Sequence, residues 1–282
     1  MYNKFILSVY TMGAILCSLL IRTPPRLTLE SQYNLPLPRT IHKTLSRDII
    51  QGKRVFVVGD IHGCYDEFIE LVETADANLD EKEDILIISV GDAINKGPKN
   101  IEVLDYIMAR KNTIFMVRGN HEDGLLHEHN KHIANDSYQI RKKWQWICNL
   151  KKEHIEFISE LPYTISIPDL NAIIVHAGLV PGVPLTEQHP IDMTLMRNII
   201  DYEGINTRGT EKTKQGMQWA RLWSGPEHVY FGHDARRRLQ QFKYTTGLDT
   251  GCVYGGSLTG VYLTGSQEMF SVKPKNVYQP VQ

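Results

Sequence analysis

Two periodicities alternate along the chain from Arg54 onward. Residues 55–59 (VFVVG) are continuously apolar, as in a strand covered on both faces, and residues 65–75 then place Phe68, Ile69, Leu71 and Val72 on one helical face. The pair of signals recurs: residues 85–90 (ILIISV) read as a strand, and residues 100–110, with Ile101, Val103, Leu104 and Ile107, read as a helix. Residues 113–117 (TIFMV) supply a third strand. Strands joined by helical crossovers predict a parallel sheet built from right-handed βαβ units. A charged, aromatic and mostly helical stretch follows at 122–160, including Trp144 and Trp146, and reads as a cap or packing layer. Strand signals return at 163–167, 172–175, 229–231 and 259–263 among turn-rich glycines, without long helical crossovers. The expected fold class is therefore α/β: a two-sheet β-sandwich flanked by helices, its second sheet the more antiparallel one.

The N-terminus has a different pattern. Residues 5–21 (FILSVYTMGAILCSLLI) carry no charge and lie between Lys4 and the pair Arg22 and Arg26. A run of that length is at the lower limit of a spanning helix, and no small-x-small cleavage site follows it, so an uncleaved signal anchor is expected. Residues 23–50, with Pro24, Pro25, Pro36 and Pro38, read as a linker. The expected organisation is an anchor at 1–22, a linker at 23–50, one catalytic domain at 51–272 and a tail at 273–282. A single-pass membrane protein of the vacuole or another endomembrane is the corresponding location.

Composition narrows the function classes. The 282 residues are 42% hydrophobic, and 31 basic against 32 acidic side chains give a net charge of -1, so the chain is neither disordered nor a general polyanion binder. Sequence-specific nucleic-acid recognition is not expected. Any anion must be held by a local site. Four cysteines, Cys17, Cys64, Cys148 and Cys252, are too scattered for a disulfide scaffold or a thiolate zinc knuckle.

The candidate chemistry follows the strands. Asp60 and His62, then Asp92, then Asn120 and His121 each come directly after one of the first three apolar runs. His176 and His233 follow two later ones. Carboxyl ends of neighbouring parallel strands converge on one crevice, so residues far apart in sequence meet there. Carboxylate, imidazole and amide oxygen suit zinc, manganese, iron or cobalt, and two such ions sharing a carboxylate turn water into a strong nucleophile at neutral pH. Asp60 and His62 are assigned to one ion, Asn120, His176 and His233 to the other, and Asp92 to the bridge. Phosphoester or phosphoanhydride hydrolysis is the chemistry such a centre performs.

Five ordered segments carry a resemblance: GDIHG (59–63), GDAINKGP (91–98), GNHE (119–122), HAG (176–178) and GHD (232–234). With them, the chain resembles the binuclear-metal phosphoesterases of the calcineurin and phosphoprotein phosphatase superfamily over residues 54–265. The segment GLDTGCVYGGSLTGVYL (247–263) is similar to the diadenosine tetraphosphatase branch and its fungal zinc-dependent endopolyphosphatase relatives. The resemblance implies a metallophosphoesterase fold with a βαβαβ metal-site motif, two divalent cations, and His121 as proton donor to the leaving oxygen. It implies a phosphorylated or polyphosphate substrate, inorganic polyphosphate first, then a dinucleoside polyphosphate or RNA cap, then a phosphoprotein. A membrane-tethered metal-binding scaffold is the non-enzyme alternative. In the second segment Asn95 and Lys96 stand where phosphoprotein phosphatases carry an aspartate and an arginine, so the acid is tuned differently and the bidentate fork is replaced by a point charge. Lys96 and Arg197 are the expected phosphate contacts. Arg236, Arg237 and Arg238 could extend a polyphosphate track, although a solvated charge run is the simpler account. Trp219 and Trp223 are candidates for base stacking or for the core.

Overall fold

A computed structural model describes residues 31–77, 84–135, 137–202, 204, 207–265 and 267–280. The expected single-pass membrane protein is not upheld: among the described residues no helix is long and apolar enough to cross a membrane. The apolar run 5–21 on which that expectation rested lies outside the described residues.

The chain opens with β1 (His42–Thr44), α1 (Arg47–Ile50), β2 (Lys53–Val58), α2 (Tyr65–Asp76), β3 (Asp84–Ser89), α3 (Asn100–Ala109) and β4 (Ile114–Met116). Then come α4 (Asn120–Ala134), a 3-10 segment at Lys142–Asn149, α5 (Lys152–Ser159), β5 (Thr164–Ile167), β6 (Ala172–Val175) and α6 (Pro190–Leu195). The remainder is β7 (Asn198–Ile200), β8 (Arg208–Thr210), β9 (Met217–Gln218), α7 (Trp219–Leu222), β10 (His228–Phe231), β11 (Gln240–Phe242), β12 (Thr245–Gly247), β13 (Leu258–Tyr262) and β14 (Met269–Val272).

Two sheets pack face to face. The first runs β14-β13-β2-β3-β4, with β2, β3 and β4 mutually parallel as their helical crossovers require. The second runs β1-β5-β6-β10-β12-β11. Val55, Val57, Leu86 and Ile88 from one sheet meet Ile165, Ile174 and Tyr230 from the other in a buried apolar layer. Because strand side chains alternate, Phe56, Val58 and Ile87 point the other way and are covered by Phe68, Leu71, Val103, Leu104 and Leu125 of the helices. On the far side Ile173, Val175, Val229 and Phe231 are covered by Met193, Met196 and Trp219. The continuous apolar runs in the sequence are thus strands buried on both faces.

The second sheet differs from the expectation. It is mixed: β1–β5, β6–β10 and β10–β12 are parallel, while β5–β6 and β11–β12 are antiparallel. The physical reason is the connection from β6 to β10, which contains α6 and α7; these helices are too short to show a period yet allow a parallel crossover. The 259–263 signal also lies elsewhere, since β13 joins the first sheet beside β2. Within the stretch read as a linker, β1 forms the edge of the second sheet, and Leu45 and Ile50 enter the layer between the sheets.

Candidate metal centre

Six strand ends meet at one rim. From the first sheet, β2 leads into Asp60 and His62, β3 into Asp92, and β4 into Asn120 and His121. From the second, the parallel neighbours β6, β10 and β12 lead into His176, His233 and Asp249. Backbone turns there are sharp: Asp92 has φ 50°, His62 φ 48° and His233 φ 66°, all left-handed. Two glycines leave room for carboxylates. A Cβ on Gly232 would lie 1.9 Å from Asp60 Oδ1, and one on Gly119 would lie 2.3 Å from Asp92 Oδ1.

Asp92 is the hub of the cluster. Its Oδ2 lies 3.7 Å from His62 Nε2 and 3.8 Å from His121 Nε2, and its Oδ1 lies 3.4 Å from His176 Nε2. Two groups of potential ligands result, His62 with Asp92 and His121, and Asp92 with His176 and His233. Asn120 Oδ1 stands 3.0 Å from both His176 Nε2 and His233 Nδ1, and Asp60 Oδ2 is 4.0 Å from His62 Nε2. All six residues assigned from sequence to a metal pair therefore converge, with Asp92 in the middle.

The other face of each imidazole is tied back. His62 Nδ1 lies 3.1 Å from the Ile94 carbonyl, His176 Nδ1 2.9 Å from that of Val90, and His233 Nε2 3.0 Å from that of Leu195. A carbonyl can only accept, so each of these nitrogens carries the proton and the remaining ring nitrogen turns a lone pair inward. Metal-ligating imidazoles are oriented in this way. The donor set of carboxylate, imidazole and amide oxygen, with no thiolate among the residues at the rim, fits a pair of hard or borderline divalent cations.

Burial favours the neutral form of all these groups; a bound cation would reverse that for the carboxylates and reinforce it for the imidazoles. It pushes Asp92 up to about 6, against the pull of Lys96, and lowers His176 to about 4. Burial, aided by neighbouring Asp249 and Asp92, also holds Asp60 well above the usual carboxylate range. His62 and His233 are held well below the usual imidazole range, again by burial first, then by Lys96 and Arg197 respectively. Charged ligand forms cost desolvation energy unless a counter-charge is present, and two dications supply one.

His121 sits at the mouth with a side chain 16% exposed. Its Nδ1 is 2.8 Å from the Asn95 side-chain amide, and burial followed by Lys96 lowers its pKa well below the imidazole norm. Lys96 Nζ lies 2.8 Å from His62 Nε2 and 5.3 Å above the Tyr254 ring. Arg197 lines the same pocket, donating through Nη2 to the His233 carbonyl at 3.0 Å, with Nε 3.7 Å from Asp234. Arg236 and Arg238 also line it, whereas Arg237 is occupied by Asp234 and Asn198. Trp219 is buried against Phe231, and the Trp223 indole donates to the Glu227 carbonyl, so both belong to the structure of the second layer.

Four residues escaped the sequence reading. Asp249 lies in the metal pocket and is pushed up to about 6, chiefly by burial. Its signal was available, because it follows a short strand as the other ligands do. Tyr254 stands at the pocket wall. Glu122, fully buried, accepts from the backbone N–H of Asp92 (2.9 Å), Ala93 (3.0 Å) and Gly119 (2.8 Å), joining two of the ligand loops from behind. Trp146 lies beside the pocket, in the stretch read only as a packing layer.

Known proteins resemble this chain over most of its length. Residues 53–262 match the model of the calcineurin-like phosphoesterases. An asymmetrical bis(5'-nucleosyl)-tetraphosphatase of Halalkalibacterium halodurans is 28% identical over 224 residues, covering 73% of this chain and 88% of that one. The zinc-dependent endopolyphosphatase of Saccharomyces cerevisiae is 27% identical over 267 residues, 80% of each chain. Among solved structures, a candidate diadenosine tetraphosphatase superposes with a TM-score of 0.71 at 33% identity, covering 84% of this chain and 99% of that one.

Proposed function

Because this chain belongs to the calcineurin-like phosphoesterase family, and so is a metal-dependent phosphohydrolase, we propose that its substrate bond is a phosphoanhydride and its first substrate inorganic polyphosphate. The observation that carries this reading is the position of one carboxylate, Asp92, between two imidazole-bearing clusters, with cationic side chains on the open side. Asp60 and His62 would hold one cation, Asn120, His176 and His233 the other, and Asp92 both. Bound there, the pair supplies Lewis acidity and a nucleophile drawn from water.

The remaining steps fall to the chain. Lys96 and Arg197 draw the scissile phosphate against the cluster, and their charge offsets that of its non-bridging oxygens. Arg236 and Arg238 extend positive charge beyond it, which suits a chain of phosphates. His121 delivers a proton to the departing oxygen. With its side-chain amide turned so that the oxygen accepts from Nδ1–H, Asn95 orients the ring without an anionic charge, so the imidazolium gives up its proton readily. Support from relatives is divided, since one is named for polyphosphate and another for a dinucleoside tetraphosphate. The second reading, a dinucleoside polyphosphate, is favoured by Tyr254 and Trp146 beside the site, because aromatic faces stack bases.

The test is a parallel digestion of long polyphosphate, a dinucleoside tetraphosphate and a phosphopeptide with zinc, manganese or cobalt. Mid-chain shortening of polyphosphate is expected. Turnover of the phosphopeptide alone would refute the phosphoanhydride reading.

A further inference from the structure

Beside the metal pocket, whose volume is about 210 Å³, lies a second cavity of about 420 Å³. Lys96, His121 and Tyr254 line both, so the two chambers meet at the imidazole. Past that junction the wall is formed by Lys143 and Trp146 from the 3-10 segment and by Gln279 and Pro280. The chambers differ in charge. Asp60, Asp92 and Asp249 face the first, whereas none of the described residues lining the second carries a carboxylate, and two lysines do line it.

The far wall is fastened to the motif loops. Gln279 Nε2 donates to the Lys96 carbonyl at 3.1 Å, and the backbone N–H groups of Tyr278 and Gln279 donate to the Val253 carbonyl at 3.1 and 3.0 Å. The Tyr278 hydroxyl donates to buried Glu67 at 2.8 Å. Residues 278–280 thus close the chamber as a strap, holding the Lys96 turn, in which Asn95 and Lys96 are both left-handed (φ 71° and 73°).

In-line displacement expels the leaving group on the side opposite the nucleophile, where the proton donor stands. On the reading given above, that is the side of His121. A seryl or threonyl leaving group is neutral and gains nothing from lysines, whereas a departing phosphate is anionic. We infer that the second chamber receives the leaving half of the substrate, that this half is a phosphate chain, and that Lys143 is a specificity-determining residue for it. The inference rests on His121 acting as the donor. The balance is that of hydrolysis: water oxygen forms the new bond to phosphorus, and the bridging P–O bond breaks with its electron pair on the departing phosphate. That phosphate takes the imidazolium proton, and a proton lost by the water restores the imidazolium.

The experiment measures kcat/KM for the metal-loaded full chain and for Lys143→Ala, Lys143→Glu and Trp146→Ala. The substrates are tripolyphosphate, a dinucleoside tetraphosphate and phenyl phosphate. Lys143 is exposed, so its charge acts through a largely aqueous path, and Lys143→Ala should lower the ratio of tripolyphosphate to phenyl phosphate turnover about fivefold. Lys143→Glu should lower it further, and added salt should shrink both effects. A Trp146→Ala loss confined to the dinucleoside identifies a nucleoside-capped leaving half; an equal or smaller loss there identifies a bare chain. Ratios that stay at the wild-type value in both Lys143 variants overturn the chamber's role. Absence of turnover of all three substrates by the wild-type protein would instead count against the function proposed above. Matched unfolding midpoints exclude a folding defect.

Discussion

Glu122→Gln tests whether the metal cluster is held in place from behind. In the native site both carboxylate oxygens are used, one accepting from Asp92 and Gly119 and the other from Ala93. Glutamine keeps one acceptor oxygen and turns an amide N–H2 toward donors, leaving about one buried N–H unpaired at a cost of about 1–3 kcal/mol. Alanine strands all three and opens a cavity, so a loss of about 4 kcal/mol or more is expected, a large part of a typical domain's stability. The bonds also maintain the left-handed turn at Asp92, a conformation that costs a residue with a Cβ about 1–2 kcal/mol. Urea unfolding of the metal-free protein should show a lower midpoint with an unchanged slope. Metal titration should show an affinity reduced about 10- to 100-fold, as when a group orienting a ligand is lost. Stability within about 0.5 kcal/mol of wild type, together with native metal affinity, would refute the reasoning.

His121→Asn should lower kcat on a phosphoanhydride about 10²- to 10³-fold while metal content measured by atomic absorption stays near that of wild type; loss of metal would make His121 a ligand instead. Affinity for manganese or zinc should fall as pH drops through about 6, because the cation must displace a proton from Asp92, pushed up to about 6 by burial. The slope is at most about tenfold per pH unit for each proton displaced, and a flat profile across that range in a competition titration would contradict it. Arg118→Leu should cost about 3–5 kcal/mol in urea unfolding, since Arg118 and Asp123, 3.6 Å apart and both fully buried, would lose their charge pairing. Adding Asp123→Leu should recover much of that loss, and a double variant no more stable than Arg118→Leu would argue against the pair.

The parallel half of the molecule was legible in the local pattern. Runs such as 55–59 and 85–90 are long, apolar and separated by helices of clear period, so strand order, crossover hand and the positions of Asp60, Asp92 and Asn120 at strand ends follow from local pattern and chain connectivity. His176 and His233 were legible for the same reason, each following a short apolar strand. The rest depends on long-range packing. The mixed second sheet depends on α6 and α7, too short to show a period, and on packing β1 from a proline-containing stretch against β5. Asp249 carries the same strand-end signal as the other ligands, but faintly, because β12 is only three residues long. Glu122, Tyr254, Trp146 and the 278–280 strap act through contacts with residues distant in sequence, or with backbone N–H groups that every residue possesses. A one-dimensional pattern records which face a residue buries, but the partner it meets there is set by how the two sheets and their covering layers close on one another.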